Sequence, residues 1–183
     1  MKIIKWLDAH LEESLLIVLS VLMTSSITLQ VFMRYVMNSS LSWSEELARY
    51  CFIWLVYIGI SYGVKMQKHV KVDVVLQFMK DRQMNIMGLI ANLIFLSFSL
   101  LVIVYGNNIA LQLLGWGQTS PALHIPMGFV YMATPVGFAL TSIRLIQQII
   151  LQILTLMGKR EFEVKTEQDI VMEEITEDNE TQK

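Results

Sequence analysis

Long apolar runs broken by short polar stretches organise this chain. Leu15 to Met33 contains no charged residue, and a second run from about Leu47 to Val64 carries Arg49 in its first turn. From Gln83 to Ile143 there is no Lys, Arg, Asp or Glu in 61 residues. A bilayer core about 30 Å thick takes roughly 20 helical residues, so this last stretch is too long for one span. Its middle, GNNIALQLLGWGQTSPALHIPMG, carries Gly, Asn, Ser and Pro turn signals. The pattern therefore predicts four transmembrane helices, at about 15–33, 47–64, 84–105 and 125–143. No barrel-like alternation recurs, and only closed hydrogen-bonding schemes cross lipid, so the fold class is an all-α integral membrane protein.

The polar margins add detail. Ile3, Ile4, Leu7, Leu11 and Leu15 fall at helical spacing, which predicts an N-terminal amphipathic helix over 2–13 lying along the interface. Asp8, Glu12 and Glu13 interrupt the approach to the first run, so that run is read as a retained span rather than a cleaved signal. Between the second and third spans, a short interfacial helix is expected to turn Val72, Val75, Leu76 and Met79 to lipid. Pro135 should free a backbone carbonyl and kink the fourth helix. Arg144, Gln147, Gln148 and Gln152 recur among Ile and Leu, as in an amphipathic extension over 144–157. Residues 1–158 thus form the membrane domain, and 159–183 a flexible acidic tail.

Composition sharpens this picture. The chain is 54% hydrophobic and 16% charged, against about 25% charged in soluble domains. Residues 1–158 hold ten Lys/Arg against seven Asp/Glu, whereas 159–183 hold four against nine. Lys2 and Lys5 precede the first span, and Arg144, Lys159 and Arg160 follow the fourth. The loop after the second span carries Lys65, Lys68, Lys71, Lys80 and Arg82. By the positive-inside rule both termini and the basic loop face the cytoplasm, with 34–46 and 106–124 outside. At anionic headgroups each lysine contributes about 1 kcal/mol, so this interfacial basic loop is a topology determinant and a contact for membrane lipids.

Candidate chemistry is sparse. Cys51 is the single cysteine, and the three histidines, His10, His69 and His124, are scattered away from mid-membrane, which disfavours a haem or metal site. No phosphate loop, zinc spacing or nucleophile elbow appears, so no enzyme activity, cofactor or nucleic-acid partner is expected. Pumps and carriers place ionisable groups inside the membrane. Here every Asp and Glu falls at an interface or in a loop, and the polar residues within spans are neutral, as in helix packing.

The stretch RYVMNSSLSWSEELARY, residues 34–50, concentrates charge at a membrane edge. Ser42 and Glu45 have capping-box spacing, and both Glu45 and Glu46 suit the positive end of a helix dipole. Glu45 and Arg49 form an i,i+4 pair. Arg34 is left over, and is expected to fold back on Glu45 or Glu46 across the turn. With Trp43, these residues make a reinforced hairpin that serves as a brace or as a partner-docking surface.

The segment FMRYVMNSSLSWSEELARYCFIWLVYIGISYGVKMQKHVKVD resembles the signature region of the small, Q-type (DctQ-like) membrane subunit of tripartite ATP-independent periplasmic (TRAP) transporters. The similarity lies in the Arg-aromatic end of the first helix, W-x-E-E-L-x-R-Y at the start of the second, W-x-x-x-x-G within it, and His-Val-x-Val-Asp in the basic loop. SPALHIPMGFVYMATPVGF is similar to the start of that family's last helix. The resemblance implies a bacterial inner-membrane protein that pairs with a large multi-helix membrane subunit on a separate chain and with a periplasmic substrate-binding protein. It implies sodium-coupled uptake of an organic carboxylate, such as sialic acid or a dicarboxylate. The small subunit would brace the scaffold and help dock the binding protein. From the residues alone, a membrane anchor for a respiratory or other oxidoreductase complex, or a small homodimeric carrier, stays open.

Overall fold

The computed structural model describes residues 2–66 and 81–156. The elements named there are all helices: α1 (Lys2–Tyr35), α2 (Ser42–Lys65), α3 (Asp81–Gly115), the short α4 (Met127–Tyr131) and α5 (Ala133–Leu156). Four helical stretches are long and apolar enough to cross a membrane: Leu11–Tyr35, Ser42–Lys65, Asn85–Gly115, and Met127–Leu156, which joins α4 to α5. The expected interfacial helix over 2–13 is helical and runs into the first span without a break. The acidic tail 159–183 and the interfacial segment with Val72, Val75, Leu76 and Met79 lie outside the described residues.

Two helix ends have clear local causes. The third helix does not stop near Tyr105 but continues to Gly115. Gly106 marks a close approach rather than a turn, because a Cβ there would meet Thr134 Cγ2 at 3.3 Å and Pro135 Cδ at 3.4 Å. The chain turns at Gly117, which takes φ 66°, and the Gly117 N–H closes the end by donating to the Leu114 carbonyl at 3.1 Å. In the last span, α4 ends at Tyr131, the residue four positions before Pro135. Proline has no N–H to give that carbonyl, so pairing lapses there and resumes with the Val136 N–H to Met132 bond, 3.1 Å.

The described residues belong to two compact units. The first comprises Met1–Tyr62 and Phe98–Ile143. Within it α1 and α2 run antiparallel: Gln30 bonds Glu45, Leu16 approaches Gly59, and Glu12 accepts from Ser61 at 2.8 Å. The last span packs on α2 where Gly137 meets Tyr57, and on α3 where Ser99 donates to the Phe138 carbonyl at 3.0 Å and contacts Ser142 at 2.7 Å. Phe138 sets its ring against both Tyr57 and Phe98, with centroids 6.1 and 6.0 Å apart.

The second unit comprises Gly63–Ser97 and Arg144–Lys183. Here Gln148 donates to the Val64 carbonyl, and Asn92 donates to Gln152 at 3.1 Å. Gly88 leaves room for the Gln152 amide, which would lie 3.1 Å from a Cβ at that position. Arg144 and Gln152 are buried while Ile143, Ile146, Ile150 and Ile153 are exposed. Arg144, Gln148 and Gln152 thus turn toward the protein, while Gln147 is exposed with the isoleucines, largely the reverse of a helix on a water-soluble core. Lipid solvates isoleucine as well as a protein interior does, but leaves amides without partners.

The same inversion holds in the first unit, where Ser44, Ser61, Ser99 and Thr141 have no exposed surface. The spans differ sharply in how much they bury: 6% of the apolar window in the first and third, against 50% in the fourth. The fourth span is therefore the internal element, and the first and third offer most of their surface to lipid or to another protein.

Candidate functional site

The charged hairpin sits where α1 ends and α2 begins. Glu45 and Arg49 pair across one helical turn at 3.2 Å, with both side chains more than half exposed. The other Glu45 oxygen accepts from Gln30 Nε2 on α1 at 3.3 Å. So the α1 residue that meets Glu45 at this end is Gln30. Arg34 is exposed in the last turn of α1 and makes no hydrogen bond or ion pair among the described residues, and the expected bridge to Glu45 or Glu46 is not formed. Glu46 is already engaged elsewhere, and a cation at a helix C-terminus is favourable without a partner.

The helix start also differs from the expected capping box. Ser42 makes no side-chain hydrogen bond among the described residues. Ser44 is the hydroxyl that closes the turn, donating to the Leu41 carbonyl at 2.8 Å. Asn38, at φ 49°, reverses the chain between α1 and α2 in a conformation asparagine tolerates well.

Glu46 is the organising residue. Its side chain is buried, yet it reaches the segment between α3 and α4. One oxygen accepts from the backbone N–H groups of Ala122 and Leu123, at 2.8 and 2.9 Å, and the other accepts from the Tyr50 hydroxyl. Paired backbone donors aimed at one carboxylate form a charge-assisted clamp. Around it the 118–127 segment folds on itself. The Ser120 N–H donates to Ile125 at 2.8 Å, and the Met127 N–H donates to Gln118 at 2.8 Å. The Ser120 hydroxyl accepts from the Ile125 N–H at 3.1 Å. His124 lies in this loop, at φ 54°.

A groove of about 700 Å³ opens beside the clamp. Ser42, Glu45, Glu46, Arg49 and Tyr50 line its outer end, and Ile53, Tyr57, Val130, Tyr131 and Thr134 its deeper part. Trp43 is 40% exposed beside it, and Tyr35, Val36 and Met37 are exposed at the end of α1. Cys51 is a buried free thiol. Among the described residues no group of three His, Cys, Asp or Glu side chains could hold a metal ion.

The basic-loop residues lie elsewhere. Lys65 is in the last turn of α2, the end opposite the clamp. Lys68, Lys71 and Lys80 are outside the described residues, and Arg82 falls in the first turn of α3 with its side chain outside the description. Sequence reasoning missed Tyr50 and Gln30: the i,i+4 spacing of Tyr50 from Glu46 was a signal for the first, but no spacing pointed Gln30 at Glu45. Ala122 and Leu123 gave no signal either, because they bond through backbone groups 76 and 77 positions away.

Comparison with known proteins agrees with this architecture. A family model described as tripartite ATP-independent periplasmic transporters, DctQ component, matches residues 23–155. The chain is 33% identical over 139 residues to a protein of Haemophilus influenzae named as a TRAP transporter small permease, covering 75% of this chain and 81% of that one. It is 31% identical over 153 residues to the isethionate TRAP transporter permease protein DctMQ of Oleidesulfovibrio alaskensis, covering 80% of this chain but 24% of that one. It is 33% identical over 111 residues to the C4-dicarboxylate small permease DctQ of Rhodobacter capsulatus, covering 59% of this chain and 48% of that one. The chain therefore spans less than two thirds of two of these three relatives.

Proposed function

This chain belongs to the DctQ component family of tripartite ATP-independent periplasmic transporters, and from that premise we propose that it braces a separate, large membrane subunit in a sodium-coupled carrier of organic anions. Small permeases of this family are non-catalytic transport components, and this one is a multi-pass protein of the bacterial inner membrane. The proposed orientation puts both termini and the basic loop in the cytoplasm, with residues 36–41 and the 116–126 loop outside. In this proposal residues 1–158 form the membrane body and 159–183 a solvated tail.

The observation that carries the bracing role is the Glu46 clamp. It ties the start of α2 to the loop before α4, and so links the neighbouring ends of the second and last spans. Meanwhile α1 and α3 leave their apolar faces uncovered, as expected of a subunit that works against a larger membrane partner. Arg34, Tyr35 and Trp43 are exposed at the same end, and we assign them a supporting contact with the periplasmic binding protein. The relatives are named for isethionate, C4-dicarboxylates, ectoine and sialic acid, so the cargo proposed for this chain is a small organic anion or zwitterion, a carboxylate or sulfonate among them.

Reconstitution tests this directly. Sodium-driven uptake is expected only from vesicles that hold both membrane subunits and are supplied with the binding protein. Uptake by vesicles holding this chain alone overturns the proposal.

A further inference from the structure

The groove beside the clamp follows α2 inward from its start and changes character with depth. Its rim carries Glu45 and Arg49 in the first two turns of α2, and beside them Glu46, whose two oxygens are already engaged by the Ala122 and Leu123 N–H groups and by Tyr50. From there it descends past Ile53 to Tyr57 and Thr134. Ser42 to Tyr57 is roughly 22 Å of helix at 1.5 Å per residue, which takes the groove beyond the midpoint of a span that ends at Lys65. Its volume of about 700 Å³ is within the range of pockets that hold small ligands.

We infer that this groove is a binding site for one zwitterionic phospholipid carrying a primary amine, from the leaflet on the side of residues 36–41. Charge complementarity at the rim identifies the headgroup. Arg49 spends one donor on Glu45, and the rest of its five-donor fork is free for a phosphate. Glu45 accepts one bond at each oxygen, leaving a lone pair at each for an ammonium. Below the rim the lining becomes aromatic and aliphatic, which suits an acyl chain. A transmembrane helix of another subunit fits less well, since such contacts favour small residues that let backbones approach. This groove is walled by Tyr50, Tyr57, Tyr131 and Met127.

The test is native mass spectrometry of the purified full chain, titrated with phosphatidylethanolamine and phosphatidylcholine of identical acyl chains. Retention of phosphatidylethanolamine several-fold above phosphatidylcholine is expected, because only the primary ammonium donates to Glu45. Glu45→Gln should erase that preference, and Arg49→Gln should weaken both lipids while Arg49→Lys restores part of the binding. Ile53→Trp fills the groove and should abolish retention in protein whose helix content is unchanged. Equal retention of the two lipids, or preference unaffected by Glu45→Gln and Arg49→Gln, overturns the inference. So does a photo-crosslinker at position 53 that captures the large subunit rather than lipid in native membranes.

Discussion

Glu46 holds Leu123 by the backbone: a side-chain oxygen in the first turns of α2 accepts the Leu123 N–H at 2.9 Å, with the Ala122 N–H beside it at 2.8 Å. A polar loop at the end of two membrane spans is thereby pinned by one residue. Both donors are half-buried, and such groups are costly to leave without an acceptor, so the loop's shape depends on a carboxylate far away in sequence.

Removing the acceptor should release the loop. Glu46→Ala is expected to lower the thermal midpoint of the purified protein by several degrees and to open the 116–126 segment to protease, with membrane insertion unchanged. Glu46→Gln keeps one acceptor oxygen and should fall between Ala and wild type. Equal protease resistance in all three proteins would show that the clamp does not hold the loop.

Double-mutant cycles should separate true partners from sequence-neighbour expectations. Arg34 and Glu46 do not touch, so the charge swap Arg34→Glu/Glu46→Arg is expected to give no rescue of stability. The Glu45–Arg49 pair is exposed, and its coupling should be small, about 0.3–0.5 kcal/mol. Single Arg34→Gln should lower the midpoint of this chain only slightly, by the loss of a helix-end charge worth about 0.3–1 kcal/mol, while slowing uptake by the assembled transporter at low binding-protein concentration.

Helix crossings make a steeper prediction. A Cβ at Gly137 would lie 2.6 Å from Tyr57 Cβ and 2.7 Å from the Tyr57 carbonyl oxygen. Backbone cannot swing aside as a side-chain tip can, so Gly137→Ala should cost about 1–3 kcal/mol through overpacking. Gly63→Ala is the matched control. That Cβ meets nothing within 4 Å, and alanine favours a helix over glycine, so the midpoint should hold or rise. Thermal unfolding in one detergent compares the two.

Ser99 tests how much the polar interior contributes. Its hydroxyl is buried and donates to the Phe138 carbonyl, but the Ser142 hydroxyl donates to the same oxygen at 2.9 Å. Ser99→Ala therefore leaves no unsatisfied acceptor and should cost about 0.6 kcal/mol, the usual value of such bonds between membrane helices. Ser99→Leu, which forces volume between α3 and α5, should cost several times more by the same unfolding assay.

The apolar periodicity was sufficient for the number and type of spans, because twenty or so apolar residues have few alternatives to a membrane helix. The i,i+4 pair of Glu45 and Arg49 and the break caused by Pro135 were also local, and so legible. Turn chemistry misled at Gly106, where glycine serves packing against Thr134 and Pro135 instead of ending α3. Charge proximity misled at Arg34, because nothing in sequence spacing says that Gln30 meets Glu45 first.

Sequence by itself thus determined the class, the number of spans and the place of the hairpin, all of which rest on local preference and on the cost of exposing backbone to lipid. Tertiary structure decided which helix is internal, which polar stripe points inward, and what Glu46 holds. Those outcomes depend on packing between distant segments. In a membrane, where isoleucine and serine are buried by opposite rules from those in water, hydrophobicity does not point to the core.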